Sequence, residues 1–410
     1  MRYRYSSGEN GAPVKKALVY TRDEHGISFD DVDIEALGIV RRLKDAGYDT
    51  YIVGGAVRDL ILGKKPKDFD IASEASPARI KKIFRNSRII GRRFRLVHVY
   101  FGPRIFEVST FRSLKDGPTS NTFGTIEEDV LRRDFTMNAL FYDPGQQIVV
   151  DYVGGMKDIR RKLVRPIIPL QTIFKDDPVR MIRAVKYAAV TGFSLPLPLK
   201  WKIKKQSPLL AGVSPSRRTE EIFKIIHSSC VARVVEALDS IGLYQYLQPC
   251  AARLMREQTG FRERYLRSMT ALNQEGFKGL PGEILGALVN DYLEDVTDWE
   301  RGIAENYKTT FTAARSFVLP MNPPGFELDH AVRRFFAAHG ITIKKSRFME
   351  RPSPARESAE GRIDSAEPHK RRRRRRRKNP ANTEGEHNIL PDNAPRFFRD
   401  EPPRSRAPGY

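Results

Sequence analysis

Hydrophobic positions along the chain switch between helical and strand spacing, and the switches divide it. Between Asp31 and Gly47, Ile34, Leu37, Val40 and Leu43 recur at helical spacing, and Gly47 closes the run as a C-cap. Residues 51–53 (Tyr-Ile-Val) are short, aromatic and β-branched, stop at Gly54-Gly55, and predict a buried strand. A short helix is expected over 56–62, a strand over 68–71, and a helix from Ser76-Pro77 to about Arg85. Two apolar runs, 95–101 and 105–111, joined by Gly102-Pro103-Arg104, predict a β-hairpin. Residues 113–125 are rich in Gly, Ser, Thr and Asn and predict a mobile loop, followed by a helix over about 126–140. Beyond Asp177-Pro178 helical periodicity holds to about Ala338, broken near 196–198, 214–215 and 320–324.

This order predicts an α+β protein, in which a head with a small mixed or antiparallel sheet and helices precedes an all-helical region and a disordered basic tail. The expected boundaries are a flexible basic arm over 1–30, a head over 31–160, a helical neck over 161–230, a helical body over 231–350 and a tail over 351–410. The tail is rich in Pro, Ser, Arg and Glu and too poor in apolar residues to offset its chain entropy.

Charge changes the picture. The 410 residues carry 72 Lys and Arg against 50 Asp and Glu, a net +22. The last sixty hold sixteen basic and nine acidic residues, so most of the excess lies in the body. A basic body points to a polyanionic partner, of which nucleic acid is the commonest. Two cysteines, Cys230 and Cys250, exclude a disulfide framework and favour a reducing compartment. The start of the chain is polar and basic, and no long apolar run occurs, so a cytoplasmic protein without a membrane segment is expected.

The chemistry concentrates between Val53 and Asp70. Gly54-Gly55, after a strand and before a helix, lets backbone N–H groups approach a phosphate without a Cβ in the way. Asp68 and Asp70 alternate, so on a strand both carboxylates share a face, and such a pair favours a cation between them. Hard oxygen ligands suit Mg²⁺ or Mn²⁺. A third carboxylate would come from Glu107 on the hairpin, the natural antiparallel neighbour of the 68–71 strand, or from Asp134 in Arg132-Arg133-Asp134-Phe135-Thr136. Asp134 could equally contact a ribose hydroxyl or cap a helix. Asp177 and Arg180, in Asp176-Asp177-Pro178-Val179-Arg180, could offer an acceptor and a donor fork to a nucleobase edge. His98, among apolar neighbours, reads as an ordinary sheet residue.

Taken together, Gly54-Gly55-x-Val57-Arg58-Asp59, Asp68-Phe69-Asp70, Arg132-Arg133-Asp134-Phe135-Thr136 and Asp177-Pro178-x-Arg180 resemble the class II branch of the nucleotidyltransferase superfamily, which contains tRNA CCA-adding enzymes and bacterial poly(A) polymerases. Residues 89–99 and the Arg-rich run 370–378 resemble the poly(A) polymerase side. The resemblance implies a nucleotidyltransferase head that adds AMP from ATP to RNA 3′ ends, with CCA addition to tRNA as the alternative. It implies that Asp68 and Asp70 bind the catalytic metals, with Glu107 or Asp134 as the third catalytic carboxylate; the strand argument prefers Glu107 as the metal ligand. It further implies nucleotide binding by Gly54, Gly55, Arg58, Arg133, Asp177 and Arg180. The implied partners are Mg²⁺, with Mn²⁺ a substitute, ATP and RNA; nothing names a protein partner such as RNA-degradation machinery. The 370–378 run is read as an RNA tether. Deleting residues 351–410 is therefore expected to raise the apparent KM for RNA and leave kcat nearly intact in steady-state assays; a lost kcat at unchanged KM would contradict the tether.

Overall fold

The computed structural model describes residues 2–7, 13–91, 96–113, 122–272 and 280–343. The expected tail, most of the 113–125 loop and the centre of the 89–99 segment lie outside these residues.

Nine strands form one sheet: β1 (Arg2–Ser7), β2 (Pro13–Tyr20), β3 (Thr50–Val53), β4 (Asp70–Ser73), β5 (Ser87–Ile90), β6 (Leu96–Phe101), β7 (Arg104–Thr110), β8 (Leu140–Asp143) and β9 (Ile148–Asp151). Their order is β1-β2-β9-β8-β3-β4-β7-β6-β5. Every neighbouring pair is antiparallel except β4 and β7, which run parallel. The antiparallel neighbour expected for the aspartate strand is thus corrected. β7 reaches β4 only after the β5–β6 excursion, which returns it pointing the same way.

Three further expectations are corrected. The described part of the first thirty residues is not a loose arm, since β2 pairs with β9 and buries Ala17 and Tyr20. Its basic composition hid a strand that closes an otherwise open sheet edge. The helix expected over 126–140 ends at Leu131, because β8 takes the following apolar stretch into the sheet between β3 and β9. All four β8 residues are buried, and such a run lacks the alternation that betrays a half-exposed strand. Third, the strand expected over 68–71 starts only at Asp70.

The sheet separates two apolar clusters. The larger holds Ile52, Ile71, Val97, Val108 and Tyr142 and continues through the helices that follow. Helix Ile34–Asp45 covers part of it, its N-terminus capped by Asp33 Oδ1, which accepts from the Glu35 and Ala36 N–H groups. The smaller holds Tyr51, Val53, Ala72, Phe111 and Phe141 under Ile126 and Val130 of helix Ile126–Leu131. Alternation puts Asp70, paired with Val53, on the face of this smaller cluster. Beyond residue 172 the described chain is helical to Ala338, with no helix long and apolar enough to cross a membrane among the described residues.

Phe141 is fully buried against Tyr51, Phe111 and Tyr152, and Arg133 lies 4.8 Å over its ring. Phe141→Ala is expected to cost about 3–5 kcal/mol in urea denaturation; a loss below about 1 kcal/mol would show that the smaller cluster is not a packed core.

Candidate active site

β3 delivers the chain to Gly54, whose φ of 74° is a left-handed conformation that L side chains rarely adopt. A Cβ there would stand 3.6 Å from Asp70 Oδ2 and 3.9 Å from Arg133 Nη1. The turn therefore brings bare backbone between a carboxylate and a guanidinium. Helix Gly55–Ile61 then carries Arg58 inward, only 6% exposed.

On the acidic side, Ile71 of β4 pairs with Val108 of β7, so Asp70 and Glu107 are adjacent across the parallel ladder and project from the same face. Burial first, then Glu107, with Asp68 adding and Arg133 opposing, push the Asp70 carboxyl up to about 6. The residue is nonetheless reachable from solvent through the cleft. Asp68 precedes the strand in irregular chain, so the pair does not share a strand face; it acts on Asp70 through space. His98 stands opposite Glu107 on β6, its Nε2 3.5 Å from Glu107 Oε1. Among the described residues no three such ligands are already gathered as a metal-holding group. The donor set still fits a hard divalent cation, because Glu107 and Asp68 both oppose the charge on Asp70 and a cation would relieve it.

Facing them is a cationic wall around a cleft of about 450 Å³ lined by Gly54, Gly55, Arg58, Asp70, Arg132 and Arg133, among others. Arg58 donates to Asn138 Oδ1 (2.7 Å) and to Asp59 Oδ1 (2.9 Å). Arg133 donates to Asp129 Oδ2 (2.9 Å) and to the Asn138 carbonyl (3.2 Å). Burial, then the neighbouring Arg112, push the Arg132 guanidinium down to about 10, and burial also lowers Arg112. Crowded cations of this kind favour a polyanion.

Asp134 lines the same cleft as Asp70, but its carboxylate is held by arginines. It accepts from Arg180 Nε (2.8 Å) and Arg183 Nη1 (2.9 Å). The chain of pairs continues from Arg183 to the buried Glu221, which also faces Lys224 and Lys186. Burial works against the charge on Arg183, yet Asp134 and Glu221 hold its pKa above the ordinary value, while burial pushes Lys186 down to about 8. Asp177 caps Val179 N–H with Oδ1 and accepts from Arg217 with Oδ2 (2.8 Å). Asp177 and Arg180 thus lie behind the cleft wall, where Arg183 and Tyr187 of the same helix, Val179–Thr191, stand instead. Sequence reasoning missed Asp129 and Asn138, which hold the arginines, and Arg112 and Tyr187. Only the spacing of Asn138 after Arg133 offered a signal.

Residues 50–165 match the Poly A polymerase head domain family, and residues 192–255 match the family described as "Probable RNA and SrmB- binding site of polymerase A". The Poly(A) polymerase I of Escherichia coli is 41% identical over 268 residues, 62% of this chain and 58% of that protein. The CCA-adding enzyme of Geobacillus kaustophilus is 38% identical over 56% of this chain and 58% of that protein. The chain thus spans under two thirds of the curated relatives it matches. The crystal structure of the Bacillus stearothermophilus CCA-adding enzyme in complex with CTP superposes with a TM-score of 0.52 at 30% identity, covering 75% of this chain and 82% of that one. The chain belongs to the nucleotidyltransferase family of poly(A) polymerases and CCA-adding enzymes. The family's shared head, residues 50–165, spans β3 to β9 and the cleft residues from Gly54 to Asn138.

With its pKa raised, Asp70 keeps a proton between about pH 4 and 6 that the unfolded chain has released, so its charge opposes folding as pH rises through that window. Asp70→Asn is expected to raise the melting temperature of metal-free protein above pH 7, in calorimetry with chelator present. A lowered melting temperature would mean that favourable partners, not repulsion, dominate at this carboxylate.

Proposed function

We propose that the protein adds AMP from ATP to the 3′ end of RNA. The observation that carries this is the opposition, across one cleft, of Asp70, with Glu107 beside it on the next strand, and the arginine wall of Arg58, Arg132 and Arg133. In the reaction the RNA 3′ oxygen bonds to the α-phosphorus, the α–β bridge breaks and pyrophosphate leaves. Asp70 and Glu107, with Asp68, would hold Mg²⁺, or Mn²⁺ in its place. When bound, such ions lower the pKa of the attacking hydroxyl and offset charge on the leaving group.

The chain's own residues do the positioning. Gly54 admits the triphosphate to the backbone, and Arg58, Arg132 and Arg133 hold it. Because Asp129 and Asn138 fix the Arg58 and Arg133 guanidinium planes beforehand, little reorganisation is needed as charge shifts toward the leaving group. Asp134 acts through Arg180 and Arg183 rather than on a metal. Asp177 and Arg180 would read a base edge only by exchanging Arg217 and Asp134 for it. The basic residues of the helical region would hold the RNA backbone. The cytoplasm, where ATP and RNA meet, suits the unpaired Cys230 and Cys250.

The relatives named Poly(A) polymerase I support ATP as substrate, while the CTP-bound relative keeps CCA addition as the second reading. The test offers a primer RNA with ATP or CTP, and separately a tRNA lacking its end. Processive incorporation from ATP alone is expected, with Asp68→Ala and Asp70→Ala reduced to background while RNA binding survives. Efficient CTP addition to the truncated tRNA would overturn the choice of product, and wild-type turnover by either variant would overturn the site.

A further inference from the structure

Helix Leu197–Gln206 buries Leu199 and Ile203 and leaves an apolar stripe uncovered on another face: Leu197 is 81% exposed and Trp201, one turn on, 60%. Together with Leu170, Gln171, Pro198 and Lys202 they line an open groove of about 420 Å³. One turn further, Lys205 Nζ lies 4.8 Å over the Trp201 ring. Lys200 and Lys204 are exposed on the same helix. Residues 178–219 contain nine Lys and Arg and no Asp or Glu.

A large exposed indole is costly to leave in water, and its π-face is what an unpaired base stacks on. Lysines flanking that face supply the charge that a phosphate backbone requires. The geometry points to Trp201 as a stacking platform for single-stranded RNA, with Lys202 and Lys205 pairing the adjacent phosphates. A purely apolar partner protein would fit the groove but would gain nothing from the lysines around it. This platform rests on the RNA-tailing reading for its biological substrate; it lies within residues 192–255, which match the family described as a probable RNA-binding site, and goes beyond that description by naming the residues and the base-stacking mode of the contact.

The chain has two tryptophans, so Trp299→Phe leaves Trp201 as its only indole. That full-length variant is titrated, without ATP, with oligoadenylate of about 20 nucleotides and with a duplex of equal length. The single strand is expected to quench Trp201 emission at concentrations where gel shift shows binding, and the duplex to bind without quenching. Trp201→Ala is expected to weaken single-strand binding about tenfold, Trp201→Phe only roughly two- to threefold. Lys202→Glu with Lys205→Glu flattens the salt dependence. Unchanged emission at saturation, with Trp201→Ala binding as tightly as wild type, would overturn the platform and leave the groove to a protein partner. AMP addition is scored separately on wild-type protein. Quenching without AMP addition removes the tailing reading alone, and AMP addition without quenching removes the platform alone.

Discussion

The cleft holds two sets of like charges that the fold forces together and cannot neutralise by itself. Burial, then Glu107 and Asp68, raise the cost of ionising Asp70, and burial, then neighbouring guanidinium groups, lower the pKa of Arg112 and Arg132. Pairing across the gap is incomplete, because Arg133 is drawn to Asp129 and Arg58 to Asp59 and Asn138. A divalent cation relieves the first set, a polyphosphate the second, and a metal–nucleotide complex relieves both. On the proposed function, stability given up at this site would be recovered as affinity for that ligand.

The fold produces this opposition by a single topological step. One parallel pair in an otherwise antiparallel sheet places Asp70 and Glu107 side by side, and the Gly54 turn at the end of β3 sets the backbone against both. From the cleft wall, where Asp134 and Arg183 stand, pairs running through Arg180 and Arg183 to Glu221 join the sheet region to two helices of the helical region. Removing one member of such a buried chain leaves an uncompensated charge, typically costing about 3–5 kcal/mol. The same network therefore locks the helices onto the head and orients Arg183 at the cleft.

Local signals in the sequence located the glycine elbow, the hairpin, the helix over 34–45 and the helical character of the second half, because caps, turns and periodicity are short-range. Glu107 was favoured over Asp134 from strand alternation alone, and the structure sets Glu107 beside Asp70 although the strand direction differs from the expected one. Long-range pairing left no such trace. β8 is buried on both faces and mimics a helix, and β2 sits in a basic, polar start to the chain, so each needed its sheet neighbour to be recognised. The partners of Asp134, Arg180 and Asp177 lie 40 or more residues away in sequence, beyond any spacing rule.

The central claim is that Asp70 and Glu107, not Asp134, gather the divalent ion at the cleft. Titration of Mn²⁺ in the presence of ATP, followed by electron paramagnetic resonance, compares wild type with Glu107→Gln and Asp134→Asn. The account predicts tight Mn²⁺ binding in wild type, near-complete loss in Glu107→Gln and retention in Asp134→Asn. Binding retained in Glu107→Gln and lost in Asp134→Asn would contradict it.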